Sequence, residues 1–156
     1  MKQPGSSVNK HMRIIKLSQS DPDMATAEMV DAFFGKKLKE RKPKGKFRLT
    51  KGRFSEDGII TGDRLLFTYL GDCIYQARSA SGRVVNEDEY RDRYPHYFCI
   101  DMDSLVKTEY KLQELEDELT ERNFLTKKLV GTQAWPSVDD KRVEVSNLLN
   151  ERLGPV

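Results

Sequence analysis

Apolar residues recur along this chain in short runs whose spacing switches between strand and helix periods. Met12-Arg13-Ile14-Ile15-Lys16-Leu17 reads as a first strand, and the polar residues 18–23 as a turn. Met24, Ala27, Val30, Phe33 and Phe34 then fall at helical spacing, with Asp23 or Thr26 placed to cap that helix and Gly35 to end it. Lys46-Phe47-Arg48-Leu49-Thr50 alternates polar and apolar positions, and residues 59–63 lead through a turn into the apolar run 64–70. Gly71-Asp72 is a tight hairpin signal, and residues 73–79 form the return strand. In that strand Cys73, Tyr75 and Ala77 fall on one face and Ile74, Gln76 and Arg78 on the other, which predicts a sheet covered mainly on one side and able to curl into a small barrel.

Residues 83–95 are polar and irregular, and Tyr97-Phe98-Cys99-Ile100-Asp101-Met102 forms a further strand that can extend through Leu105 and Val106. Leu112, Leu115 and Leu119 mark a helix covered with acids, and residues 131–137 are a loop holding the only tryptophan. The last element is a helix over 139–153, with Val143, Val145, Leu148, Leu149 and Leu153 along its apolar side. No internal repeat is visible. Strands outnumber helices, so the expected class is α+β: a small bent β-sheet or barrel with peripheral helices. Successive strands joined by hairpin turns argue against a βαβ fold.

A length of 156 residues suits one domain, expected over 12–153. Residues 1–11 read as a disordered leader or cloning remnant, lacking the apolar core of a signal peptide. No apolar stretch approaches the roughly 20 residues that cross a bilayer, so a cytoplasmic protein is expected. Cys73 and Cys99 make no CxxC pair, and His11 and His96 are the only histidines, so reduced, buried thiols are expected and no metal site.

Charge changes the picture more than composition does. The formal net charge of +2 hides a segment from Lys36 to Arg53 with ten basic residues and one acid, Glu40. Between Glu109 and Glu121 there are six acids and one lysine. A dense basic stretch containing Pro43 and Gly45 is what phosphate tracking requires, because affinity for a polyanion grows with each phosphate neutralised. The same stretch also suits a solvated loop that keeps the protein soluble.

The run Gly62-Asp63-Arg64-Leu65-Leu66-Phe67-Thr68-Tyr69 resembles the central Gly-Asp strand of the PUA-like superfamily, in particular its EVE, ASCH and YTH branch. Residues 71–77 are similar to the strand that follows it, and Gly131-Thr132-Gln133 with the terminal helix resembles the C-terminal end of EVE-type domains. The resemblance spans Met12 to Leu153 and implies a binding module without catalytic function or cofactor. Domains of this branch bind nucleic acid, several by taking a modified or flipped-out base into an aromatic pocket. In bacteria they serve as readers in modification-dependent restriction systems that recognise methylated or hydroxymethylated cytosine. The partner so implied is nucleic acid, DNA before RNA, with an effector nuclease or NTPase beyond this chain. The YTH branch uses a cage of two or three tryptophans, whereas this chain has one, so tyrosine or phenylalanine must supply the remaining walls.

Holding an extruded base takes flat faces for stacking, a few donors and acceptors for its edge, and a basic rim. Trp135, in its loop, is either a stacking wall or a hydrophobic plug. Tyr94, Tyr97 and Phe98 surround His96, and one of the three is expected to line a pocket. Tyr69 and Tyr75 flank the hairpin and read as cross-strand packing. Asp101 and Asp103 can accept from an exocyclic amino group or cap a strand-end turn. Arg48, Lys51 and Arg53 are the cations expected on ordered structure, with Lys36, Lys37, Lys39, Arg41, Lys42 and Lys44 on a mobile rim. Two other classes compete. Asp103 with Glu109-Tyr110-Lys111 has the Glu-x-Lys form of a metal-dependent nuclease, and the acidic helix 112–121 suits a protein-interaction module.

Overall fold

The computed structural model describes residues 12–51, 54, 58–125 and 141–156, without the Arg142 side chain. Its sheet contains β1 (Met12–Leu17), β2 (Lys46–Leu49), β3 (Arg64–Tyr69), β4 (Asp72–Ser79), the two-residue β5 (Val84–Val85) and the long β6 (His96–Lys111). The order is β1-β3-β4-β6-β2, with β5 also on β6. Around it lie α1 (Ala27–Ala32), the one-turn α2 (Leu38–Glu40), α3 (Leu112–Glu121) and α4 (Arg142–Leu153). This is a small α+β architecture, one sheet with helices packed around it, as the chain pattern led us to expect.

The hairpin between β3 and β4 turns on Leu70 and Gly71, both at positive φ (51° and 87°), the pairing that matches the twist of the flanking strands. The pattern misjudges two features of the sheet. β1 runs parallel to β3, so its connection is a crossover that carries α1, α2 and β2. Both faces of the sheet are covered. Ile15, Leu17, Leu65, Phe67 and Tyr69 join one core with Val30, Phe33, Phe34 and Leu38. The alternating positions Met12, Ile14 and Leu66 join a second core with Leu115, Leu119, Val145, Leu148, Leu149 and Leu153. Cys73 lies in this second core although Tyr75 and Ala77 lie in the first, because the β4–β6 register shifts between Cys73 and Tyr75 and reverses the alternation.

Gly35 does not end the first helix. Thr26 caps α1 by accepting from the Met29 amide at 3.2 Å, and the helical path continues through the wider turn Phe33–Lys37 into α2. Leu38 gives the physical reason, since its fully buried side chain rewards one more turn. In α4, Val143 is 61% exposed and stands apart from the apolar side formed by its neighbours.

The Gly62-Asp63 motif has a structural role. Gly62 takes φ 92°, and the buried Asp63 carboxylate accepts from the Ile60 amide at 3.0 Å while its own amide donates to the Ser79 hydroxyl at 3.0 Å. These bonds tie the entry of β3 to the end of β4. Arg64, next in sequence, is buried among neutral acceptors: Gln76, Asn150 and the Gly154 carbonyl. Burial, then the neighbouring Arg78, lowers its pKa to about 10. The guanidinium thereby fastens the end of α4 to the sheet.

Candidate functional site

A cleft of about 560 Å³ opens between the turn at Asp21–Met24, the α1–α2 segment, β2 and the loop before β6. That size falls in the roughly 300–1,000 Å³ range of small-molecule sites. Phe33 and Phe47 form its floor, packed edge to face with ring centres 6.0 Å apart. Tyr90, half exposed, and Tyr94 form its aromatic wall, and Lys37, Arg41, Arg48 and Arg93 face Asp21, Asp23 and Glu40 around it.

Each wall is held by identifiable bonds. Asp21 accepts from the Asp23 amide at 2.9 Å and caps the short helical turn Pro22–Met24. The Tyr69 hydroxyl donates to the Met24 carbonyl at 2.6 Å and ties that turn to β3. Buried Asn86 organises the opposite loop, donating through its amide side chain to the Tyr94 carbonyl at 2.8 Å and to Asp88 Oδ1 at 3.0 Å. Asp88 is the hub of this wall. Its Oδ1 accepts from the Tyr90 amide at 2.8 Å, and its Oδ2 receives Lys46 Nζ at 2.8 Å and Arg48 Nε at 2.9 Å. Lys46 and Arg48 reach the same carboxylate because residues two apart on a strand share a face.

The same two cations lie on aromatic rings: Arg48 is 4.6 Å from the centre of Tyr90, and Lys46 is 4.6 Å from that of Tyr97. Across the cleft Arg41 lies 4.9 Å from the Phe33 ring centre, donates to the Lys46 carbonyl at 2.9 Å and stands 3.7 Å from Asp23. Partial burial opposes the charge of Asp88, yet bonds from Lys46, the Tyr90 amide, Arg48 and Asn86 outweigh it and hold the carboxyl well below the ordinary range. Burial, then the nearby Arg48, lowers the pKa of Arg41, and burial raises that of the Tyr94 and Tyr97 phenols.

Of the residues singled out in the sequence, Tyr94 and Arg48 line the cleft, and Tyr97 stands beside it under Lys46. Lys42, Lys44 and Lys51 are exposed and make no ion pair with a described residue. Two further candidates take the structural alternative that the sequence left open. Phe98 is fully buried in the core, packed on Phe47 at 5.4 Å, so its ring is no pocket wall. Asp101 caps a bend in β6, accepting from the Asp103 amide at 3.1 Å where the β4–β6 register jumps, so its turn-capping role is the one realised. Trp135 and Arg53 lie outside the described residues. Sequence reasoning assigned Arg41 to a mobile rim, whereas it lines the cleft, and passed over Tyr90, Asp88 and the two phenylalanines. The available signal was the density of Asn, Asp and Tyr in residues 86–94, an irregular polar stretch of the kind that carries function on a rigid scaffold.

Glu109 and Lys111, from the nuclease alternative, open onto a second cleft of about 490 Å³ beside Asp31 and Asp72. Lys111 is paired with Asp72 at 2.9 Å, and its hydrogen bond to that carboxylate raises its pKa. Among the described residues no three His, Cys, Asp or Glu side chains lie together as an ion holder.

No family model matches the chain, and no curated protein matches it. Among solved structures, it is similar to the YTH domain of Zygosaccharomyces rouxii MRB1, determined in complex with N6-methyladenosine RNA. The two share 17% sequence identity and a TM-score of 0.52, over 92% of this chain and 88% of that one. At that identity the likeness is one of fold: this chain arranges its curled sheet and helices as a YTH domain does.

Proposed function

We propose that this chain is a non-catalytic reader of nucleic acid, and that the cleft between Phe33, Phe47, Tyr90 and Tyr94 receives a modified base turned out of its stack. The observation that carries this reading is the convergence of flat rings, guanidinium planes and carboxylate acceptors in one cleft of base-accommodating size. The similarity in fold to a domain solved with methylated RNA supports it. Stacking supplies roughly 1–3 kcal/mol per base. Asp21, Asp23 and Glu40 offer acceptors for an exocyclic amino group, and the exposed Lys42, Lys44 and Lys51 extend the surface for flanking phosphates. The finer reading, carried by the resemblance of residues 62–69, is a cytoplasmic reader of modified DNA whose effector nuclease or NTPase is a separate partner.

A binding screen tests this. Matched DNA and RNA oligonucleotides carry unmodified cytosine, 5-methylcytosine, 5-hydroxymethylcytosine or N6-methyladenine. One modified base is expected to bind at least about tenfold more tightly than its control. Tyr94→Ala removes that preference and leaves salt-sensitive binding in place, and Trp135→Ala shows whether the single tryptophan adds a wall. Equal, weak binding of every oligonucleotide would overturn the reading in favour of a protein-interaction module.

A further inference from the structure

The cations of the cleft outnumber the carboxylates that bind them directly. Asp23 serves both Lys37, at 2.8 Å, and Arg41, at 3.7 Å. Asp88 serves both Lys46 and Arg48 through the same oxygen. Asp21 and Glu40 also face the cleft, but neither forms an ion pair with a described residue. The guanidiniums therefore keep donors in reserve. Arg48 uses only Nε on Asp88, so both of its terminal nitrogens are without a hydrogen-bond partner among the described residues. Its plane is fixed by that bond and by the Tyr90 ring, which leaves the terminal fork open. Arg41 uses one terminal nitrogen on the Lys46 carbonyl, and its Nε makes no hydrogen bond with a described residue.

The geometry points to a phosphate subsite inside the cleft, formed by the open fork of Arg48 with Arg41 facing it, so that the ligand held here is a phosphate-bearing nucleotide and not a free base or nucleoside. A planar fork with two unused terminal nitrogens matches two oxygens of a phosphate, which a lysine cannot imitate. Arg41, half-buried and within the field of Arg48, carries its charge at a disadvantage that a bound dianion relieves. The subsite deepens the reader proposal and rests on it for the identity of the attached base. The phosphate can belong to a chain end or to the backbone, and the test separates these sources.

The full chain is titrated with inorganic phosphate and with short oligonucleotides of one sequence, carrying either a 5′-phosphate or a 5′-hydroxyl. Inorganic phosphate is expected to raise the melting temperature of the parent protein and to leave that of Arg48→Gln unchanged. Arg48→Gln is expected to weaken oligonucleotide binding roughly 10- to 50-fold and to reduce the salt slope by about one contact, near 0.7 for a single strand. Arg48→Lys should keep the slope and lose most of the affinity, because charge survives and the fork does not. Preference for the 5′-phosphate assigns the subsite to a chain end, and equal binding of both oligonucleotides assigns it to the backbone. Because Arg48 also supports Asp88, Arg41→Gln serves as an independent variant, with circular dichroism confirming the fold of each. Unchanged phosphate and oligonucleotide affinity in both Arg48→Gln and Arg41→Gln would overturn the subsite. If phosphate binds through Arg48 while no oligonucleotide binds, the subsite stands and the reader proposal fails. If oligonucleotides bind with modification preference while phosphate and the arginine variants have no effect, the reader stands and the subsite fails.

Discussion

Asp88 shows how one short side chain assembles a site. It fixes the Tyr90 backbone, the Arg48 guanidinium and the Lys46 ammonium, and the last of these is only 5% exposed. Removing the charge leaves two cations near one another without their counterion, a loss of roughly 1–3 kcal/mol for hydrogen bonds to charged groups. Asp88→Asn is therefore expected to lower the melting temperature by roughly 3–10 °C at neutral pH. The sign of its pH dependence follows from the depressed carboxyl. A depressed folded pKa contributes stability that is fully present above the unfolded value, about 3.9, and is lost as pH falls toward the folded one. Melting curves of parent and variant should thus stay separated by a constant interval from pH 8 to about 5 and converge below about 4. A gap that closes between pH 6 and 8 would rule out Asp88 as its source. The sequence displayed Tyr94 and Arg48 as candidates because aromatic and basic residues stand out singly. Asp88 was hidden because its importance comes from groups some forty positions earlier in the chain, and no local pattern carries that pairing.

At the scale of elements, the sequence was legible wherever local chemistry decides. β1 occupies the predicted Met12–Leu17, and the Gly71 hairpin and the leucine stripe of α3 are also where the pattern places them. It was not legible where distant packing decides, as in the parallel β1–β3 pair, the sixteen-residue β6 and the helix that continues past Gly35. Two glycines, one just before the basic segment and one within it, turn this difference into measurement. Gly45 has φ +82°, and a Cβ there would lie 2.2 Å from the Ile100 carbonyl oxygen. Its amide donates to Leu38 and its carbonyl accepts from Ile100, both at 2.9 Å, so the turn between α2 and β2 is stitched to β6 at this point. Gly35 is exposed, and nothing lies within 4 Å of a Cβ built on it. Gly45→Ala is expected to lose at least about 1–2 kcal/mol from the left-handed backbone alone. Gly35→Ala should gain about 0.5–1 kcal/mol as helix propensity predicts. Urea unfolding of both variants checks the pair, and a destabilising Gly35→Ala would contradict a helix running through that residue.

At the scale of the whole molecule, the two charged segments divide into internal and outward-facing groups. In the acidic segment Glu118 receives Arg152 through both carboxylate oxygens, at 2.6–3.0 Å, and also accepts from the Tyr110 hydroxyl, so part of that charge fastens α4 to α3. In the basic segment Lys37, Arg41, Lys46 and Arg48 are engaged with Asp23 and Asp88. Lys36, Lys39, Lys42, Lys44 and Lys51 remain exposed and without an ion pair among the described residues. The engaged cations shape the cleft, and the unengaged ones supply a field that is indifferent to base identity. Separate consequences follow for affinity and for preference. Reversing Lys42 and Lys44 together to glutamate should weaken all oligonucleotides alike and flatten the slope of log affinity against log salt by about 1.4–1.8, the value for two phosphate contacts. The ratio between modified and unmodified bases should stay unchanged, because neither lysine lines the cleft. Titrations at three salt concentrations measure both quantities. An unaltered slope would show that this turn meets no phosphate, whereas a lost preference would show that the turn reaches the base itself.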